Sequence, residues 1–238
     1  MSNRAVILAG GKGTRLRPYT VVLPKPLMPI GDYPILEIIV RQLVVDGFDH
    51  ITMAVNHQAN LIKAFFGNGE QWHASIDYSL EARPLSTIAP LSLIRDLPET
   101  FLLMNGDVLT DLSFSDLYAQ HRRSGCVFTI AASSRTQTID YGVLQVDTTN
   151  TLIGFDEKPS TQYLVSMGVY VVDKSVLSLV PADQAYGFDH LMHALIGRRE
   201  RVNVTRHDGY WLDLGRPDDY VQAVEEFDSR RARLLRDE

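Results

Sequence analysis

The run Ala5–Leu8, followed by Ala9 and then Gly10-Gly11, limits what this chain can fold into more than any other feature. So short a continuous apolar stretch reads as a strand buried on both faces, as in a parallel sheet, entering a glycine turn. Pro34–Asp46 then places Ile35, Ile38, Ile39, Gln42 and Leu43 at helical spacing, and Gly47 follows as a stop. Ile51–Val55 reads as a second strand, Ala59–Phe66 as a helix closed by Gly67, and Ser75–Leu80 as an alternating strand. Pro90–Asp96 reads as a helix and Phe101–Met104 as another buried strand. Ser115–Ser124 reads as a helix, with Ser113 or Ser115 as its N-cap and Gly125 as its stop. This β-α-β rhythm predicts an α/β fold, a mostly parallel mixed sheet with helices on both faces.

After Cys126 the rhythm changes. Val127–Ala132, Val143–Asp147, Leu152–Phe155, Val165–Val172 and Val202–Arg206 are strand-like, and helices are expected at Asp189–Arg198 and Asp218–Leu235. No internal repeat, low-complexity segment or linker interrupts the chain, so residues 1–238 are expected to form one domain. In an open parallel sheet, ligands sit beyond the carboxyl ends of the strands. Two marked sequences fall there: the glycine loop after the first strand and Asn105-Gly106-Asp107 after Phe101–Met104.

Charge narrows the partner class. The 238 residues carry a net −6, yet residues 1–31 hold Arg4, Lys12, Arg15, Arg17 and Lys25 and no acid. A cationic loop on an acidic protein points to a local polyanion site and away from a nucleic-acid-binding face. Cys126 is the only cysteine, so neither an internal disulfide nor a cysteine-based zinc site is available. No apolar run approaches the roughly 20 residues of a membrane helix, and Ala5–Ala9 is too short for a signal-peptide core. The expectation is a cytoplasmic protein without membrane or nucleic-acid partners.

In Leu8–Pro18, three glycines allow a tight turn that gathers backbone N–H groups into one concavity, which favours phosphate oxygens. Arg15 offers a fork of donors and Lys12 a point charge. The order Gly11-Lys12-Gly13-Thr14 is wrong for a P-loop, and Gly11–Leu16 ends in leucine where a dinucleotide fingerprint needs glycine. Leu8–Pro18 followed by Pro24-Lys25-Pro26-Leu27-Met28-Pro29-Ile30 closely resembles the sugar-1-phosphate nucleotidyltransferases, also called nucleotide-sugar pyrophosphorylases. It is most like the short guanylyltransferases acting on mannose-type, heptose or cyclitol 1-phosphates.

The resemblance covers nearly the whole chain and implies a single Rossmann-like domain, with a nucleotide-binding half in 1–125 and a sugar-binding half in 126–238. It implies nucleotide contacts at Leu8, Gly10, Gly11, Gly13, Thr14, Arg15 and the 85–89 segment, including Ser86. Asn105-Gly106-Asp107 resembles the element carrying a metal-binding Asp, and Trp211–Pro217 the element carrying the second, Asp213. Gly142, Glu157, Lys158 and Gly168 resemble the residues that face the sugar and its phosphate, with Tyr141 and Tyr163 as further candidates for the pocket. Mg²⁺ is the implied cofactor, and Arg15, Lys25 and Asp107 the implied catalytic groups. Leu85-Ser86-Thr87-Ile88-Ala89 departs from the family pattern by replacing both glycines of a Leu-Gly-Thr-x-Gly segment that lies against the base.

The implied reaction joins an NTP to a sugar 1-phosphate, releasing pyrophosphate. Glu81 is a fitting partner for the N1–H and N2–H₂ donors of guanine, which favours GTP, followed by UTP and CTP. Three alternatives stand beside this reading. A catalytically inactive nucleotide-sugar sensor would usually lack one of Arg15, Lys25, Asp107 or Asp213. A nucleotide-sugar-dependent glycosyltransferase would commonly carry an Asp-x-Asp motif, which Asp107-Val108-Leu109 does not supply. His190 and His193 could face one side of a helix as metal ligands, but no third ligand is evident. Trp72 and Trp211 read as core or pocket-wall residues. Arg230, Arg231, Arg233 and Arg236, flanked by Glu225, Glu226, Asp228, Asp237 and Glu238, read as a solvated helix or an oligomer contact. A homodimer through the C-terminal helix is a further expectation, and a chain ending at Glu238 leaves no room for the β-helical or regulatory domains of longer family members.

Overall fold

A computed structural model describes residues 3–11, 13–56 and 58–236. The expected α/β plan is what the chain builds. The first five strands are β1 (Arg4–Leu8), the two-residue β2 (Pro29–Ile30) and β3 (Tyr33–Pro34), β4 (His50–Val55) and β5 (Ser75–Leu80). Then follow β6 (Thr100–Asn105), β7 (Val108–Thr110), β8 (Phe128–Thr138), β9 (Gly142–Val146), β10 (Leu152–Glu157), β11 (Ser160–Asp173), β12 (Val202–Arg206) and β13 (Trp211–Asp213). The helices are α1 (Ile35–Val45), α2 (Ala59–Phe66), α3 (Phe114–Ser124), α4 (Phe188–Gly197) and α5 (Pro217–Leu235). Among the described residues no helix is long and apolar enough to cross a membrane.

The main sheet has seven strands in the order β12-β8-β11-β6-β1-β4-β5. Pairing is parallel except where β11 runs antiparallel between β6 and β8. Strand alternation explains the two layers of core. Ala5 and Ile7 of β1 face one side, with Ile51, Met53, Leu102 and Met104, and pack under α1, α2 and α5. Val6 faces the other, with Phe101, Leu103 and Phe128, beneath Leu191 and Leu195 of α4. Ala5, Val6 and Ile7 are fully buried, as a continuous apolar run in a parallel sheet should be.

Local chemistry sets the ends of the elements. The Ser113 hydroxyl accepts Asp116 N–H at 3.2 Å, so Ser113 is the N-cap of α3, and Gly125 ends that helix in the left-handed region. The segment expected as a helix over Pro90–Asp96 is a short 3-10 turn, Ala89–Leu93. Its entry is pinned from outside, since Ile88 and Ala89 N–H both donate to the Tyr186 carbonyl. Strands β8 and β11 are far longer than their apolar runs. Beyond the sheet they continue as a two-stranded ribbon, from Ala132 paired with Ser166 to Thr138 paired with Ser160, and the β9–β10 hairpin caps its end. This arm exposes Tyr141, Leu144, Ile153 and Phe155.

Candidate active site

The carboxyl ends of β1, β4, β5 and β6 lie along one edge because the parallel register aligns Leu8 with Ala54 and Asn105, and Val55 with Leu80. Each strand delivers a polar or flexible residue there: Gly10-Gly11 after β1, Asn56 after β4, Glu81 after β5, and Asn105-Gly106-Asp107 at β6. Ala9 N–H donates to the Ala54 carbonyl at 2.8 Å and Gly106 N–H to the Leu8 carbonyl at 3.0 Å, fixing both loops to the sheet. A side chain on Gly106 would lie 3.1 Å from that carbonyl, which keeps the position small. The cleft so formed is about 440 Å³. Leu8, Ser86 and Lys25 complete its wall, so Leu8, Gly10, Gly11, Glu81 and Ser86 all reach one cavity. Thr87, from the 85–89 segment, lines it as expected; Asn56 and Pro84 also line it and were not anticipated, and only their place after β4 and β5 could have marked them.

Gly13, Thr14 and Arg15 sit beside that wall. Gly13 takes φ +59°, its carbonyl accepts the Thr20 hydroxyl at 2.7 Å, and a Cβ there would meet Thr20 at 2.8 Å. Thr14 then opens a single 3-10 turn, Thr14–Leu16. Lys12 lies outside the described residues, as do Asp237 and Glu238. Arg4 does not belong to the loop's charge. It sits at the far end of β1, bonded to Thr52 and 2.8 Å from Asp96.

The two expected metal ligands meet through pairing the sequence does not display. Strand β13 runs antiparallel to β7, matching Asp213 with Val108, and Leu214 N–H donates to the Asp107 carbonyl at 2.9 Å. Between them stands Gly215. A methyl group there would lie 2.9 Å from Asp213 Oδ1 and 3.0 Å from an Arg15 guanidinium nitrogen, and would collide with Lys25 Nζ. Four charged groups from three separate stretches thus converge. The Lys25 ammonium, buried, pairs with Asp107 Oδ2. Asp213 Oδ1 accepts Gly215 N–H at 2.9 Å. Among the described residues no group of three or more His, Cys, Asp or Glu side chains could hold a metal. Two carboxylates suit Mg²⁺, which typically takes one or two protein oxygens and leaves the rest to water and substrate phosphates.

A second cleft of about 230 Å³ shares Asn105 with the first and includes Asp213, Ser166, Gly168 and Trp211. Gly168 lies where β11 bulges, its register slipping between Ser166 and Tyr170. It holds φ +75°, and a Cβ there would meet Asn105 Nδ2 at 2.6 Å. Trp211 is indeed a pocket wall, its indole N–H donating to the Met167 carbonyl at 3.0 Å. Burial raises the Tyr170 hydroxyl above its ordinary pKa, and Ser166 donates to it at 3.0 Å. Arg135 and Arg216 line this cleft and escaped the sequence reading.

Gly142, Glu157 and Lys158 stand elsewhere. They lie on the β9–β10 arm, lining none of these clefts, because the ribbon carries them past the sheet edge. Lys158 pairs with Asp140 at 2.8 Å, both exposed. Tyr141 and Tyr163 are exposed too. His190 and His193 lie on the exposed side of α4, and Trp72 packs on Phe65 and Phe66. The C-terminal arginines pair with acids of this same chain: Arg230 with Glu226, Arg231 with Asp32, Arg233 with Asp111 and Arg236 with Asp46.

Known proteins share this layout. Residues 4–230 match the family described as Nucleotidyl transferase. A UTP–glucose-1-phosphate uridylyltransferase of Synechocystis sp. is 31% identical over 241 residues, covering 93% of this chain and 62% of that protein. A mannose-1-phosphate guanyltransferase of Schizosaccharomyces pombe is 32% identical over 227 residues, covering 92% and 62%. The chain therefore spans about 62% of the length of these curated relatives. Among solved structures, a putative glucose-1-phosphate thymidylyltransferase from Bacillus anthracis superimposes with a TM-score of 0.75 at 22% identity, covering 93% of this chain and 94% of that one. HddC from Yersinia pseudotuberculosis complexed with GMP-PN gives 0.73 at 23%, covering 94% and 99%. The structural likeness extends to the fold, and the sequence match takes in the glycine loop, Lys25, Asp107 and Asp213 within 4–230: this chain belongs to the nucleotidyl transferase family.

Proposed function

We propose that the chain transfers a nucleotidyl group to a sugar 1-phosphate, giving an NDP-sugar and pyrophosphate. The observation that carries this reading is the meeting of Arg15, Lys25, Asp107 and Asp213 around Gly215, where two clefts share Asn105. The nucleotide occupies the larger cleft, built by residues 1–125, and the sugar the smaller, built mainly by 126–238.

In this reaction a sugar-phosphate oxygen attacks the α-phosphorus in line. The new P–O bond forms as the bond to the bridging oxygen breaks, and its electron pair leaves with pyrophosphate. The attacking oxygen is already anionic, so the site needs no general base. Its task is to bring two anions together and stabilise charge in the transition state. Lys25 neutralises the α- and sugar phosphates, and Arg15 grips the leaving phosphates with a fork of donors. Asp107 and Asp213 would hold Mg²⁺, which supplies charge neutralisation and phosphate alignment. Lys25 pairs with Asp107, so the reaction requires an exchange of partners: Lys25 turns to phosphate as Asp107 takes up its ligand role. From the arm, Glu157 reaches the sugar hydroxyls and Lys158 the sugar phosphate. The exposed Lys158–Asp140 pair contributes little and gives way to a phosphate dianion.

GTP is the favoured nucleotide. Glu81 Oε1 accepts Leu85 N–H at 2.6 Å, which steadies the carboxylate on the cleft wall and leaves its second oxygen for guanine N–H donors. The relative named as a mannose-1-phosphate guanyltransferase supports this and a mannose-type sugar, whereas the Synechocystis relative favours uridylyl transfer as the alternative. The test is pyrophosphate release with Mg²⁺ across four NTPs and a panel of sugar and cyclitol 1-phosphates, with Asp107→Asn as control. Release with one pair, lost in the control while folding is kept, is the expected result. No release with any pair, under conditions where an NDP-sugar still raises the melting temperature, would replace catalysis with sensing.

A further inference from the structure

Arg135 and Arg216 enter no step of that reaction, yet both line the second cleft. Arg135, on β8, donates through Nη2 to Oδ1 of Asp219, and its guanidinium lies 5.3 Å from the Trp211 ring centre. Arg216, at the N-cap of α5, places Nε 4.0 Å from the same oxygen. Asp219 is 3% exposed, and its other oxygen accepts the Asp213 N–H at 3.0 Å. One buried carboxylate therefore holds two guanidinium groups and tethers them to the strand bearing Asp213. The arginine side chains remain 33% and 54% exposed, so donors not spent on Asp219 are open to a ligand. Asp213 lines the same cleft; once it serves as the proposed Mg²⁺ ligand, two guanidinium groups face one carboxylate at this corner.

Position indicates which part of a ligand meets that charge. The first and second clefts share Asn105, and the second shares Arg135 and Trp211 with a third, of about 240 Å³, which Ser133, Tyr210 and Gln222 also line. Arg135 therefore stands at the end of the second cleft away from the nucleotide. A sugar whose 1-phosphate lies near Asp213 turns its far substituents toward Arg135. A neutral hydroxyl there would need no charged fork, whereas a carboxylate or phosphate matches it. Resting on the reaction proposed above, we infer that the second cleft reads an anionic substituent remote from C1, so that the substrate class is acidic sugar 1-phosphates.

The test is calorimetric binding of three probes to the full chain with Mg²⁺: a neutral hexose 1-phosphate, the matching hexuronic acid 1-phosphate and the hexose 1,6-bisphosphate. At least one acidic probe should bind about tenfold or more tighter than the neutral one, the scale of a charge-assisted pair. That advantage should shrink with salt and fall at least about fivefold in Arg135→Gln and Arg216→Gln. Which acidic probe gains distinguishes a carboxylate from a phosphate. Arg135→Gln strips Asp219 of its close partner, so Arg216→Gln, at a half-exposed side chain, carries the test should the first fail to fold. Equal or weaker binding of both acidic probes, or an advantage untouched in the folded variants, overturns the inference. Pyrophosphate release separates the two readings. Turnover of neutral sugars without acidic preference sinks this inference alone; acidic preference in binding without turnover of any pair sinks only the reaction.

Discussion

The glycine loop and the β9–β10 arm both carry residues proposed to meet substrate, but the fold holds them in opposite ways. The loop hangs from a strand whose Ala5, Val6 and Ile7 are fully buried, and its Leu8 and Ala9 are bonded to Gly106 and Ala54 on either side. Glu157 and Lys158 lie at the end of the β9–β10 hairpin, an arm that exposes Phe155, Ile153 and Tyr141. An isolated hairpin has little intrinsic stability, whereas an interior strand is fixed by its neighbours and by core on both faces. On the reaction proposed above, the nucleotide side is pre-arranged, while the arm's share of the sugar side is settled when substrate arrives.

Three results would break or sharpen that contrast. Arg15→Ala should lower turnover by about 10²–10³, the cost of one preorganised donor, measured as pyrophosphate release at saturating substrates. Near-normal turnover would remove the loop from the chemistry. Lys158→Ala should raise the sugar-phosphate KM by about tenfold and leave the NTP KM alone, on the scale of one charge-assisted hydrogen bond. An unchanged KM would make the arm a bystander. The smallest effect is expected from acid. Backbone N–H of Thr151, then the hydroxyl and N–H of Thr149, hold the Asp147 carboxyl below its usual range. A lowered pKa stabilises the turn above the unfolded value, near 3.9, and that contribution is lost as pH falls through the folded value. Amide shifts of Thr149 and Thr151 should therefore move below about pH 4 while those of β1 and β4 stay put. Joint movement would show that the arm is not an independent unit.

The sequence made the body legible where burial writes itself into composition. Ala5–Leu8, Ile51–Val55 and Phe101–Met104 are strands because unbroken apolar runs have few other uses, and the loop behind the first is where it was expected. What pairing alone decides stayed hidden. Strands β7 and β13 have three residues each, too few for any period, and yet they bring Asp107 to Asp213. The ribbon of β8 and β11 runs on through Ser133–Thr138 and Ser160–Leu164, polar stretches with no apolar signature. Arg135 sits in that run, so its place in a cleft could not be read in advance. Ala89–Leu93 has enough apolar residues for a helix, but its hydrogen bonds to a distant carbonyl hold it to a single tight stretch.

The pairing of Lys25 with Asp107 bears on how the protein endures without its substrates. A cleft edged by two acids alone would repel itself and depend on the ionic makeup of its surroundings to stay assembled. Here the chain brings its own tethered counter-ions, the Arg15 guanidinium and the Lys25 ammonium, the latter paired with Asp107 from 82 residues away. The architecture is thereby insulated from scarcity: on the reaction proposed above, removing divalent cations should silence turnover while leaving the shape and melting behaviour intact.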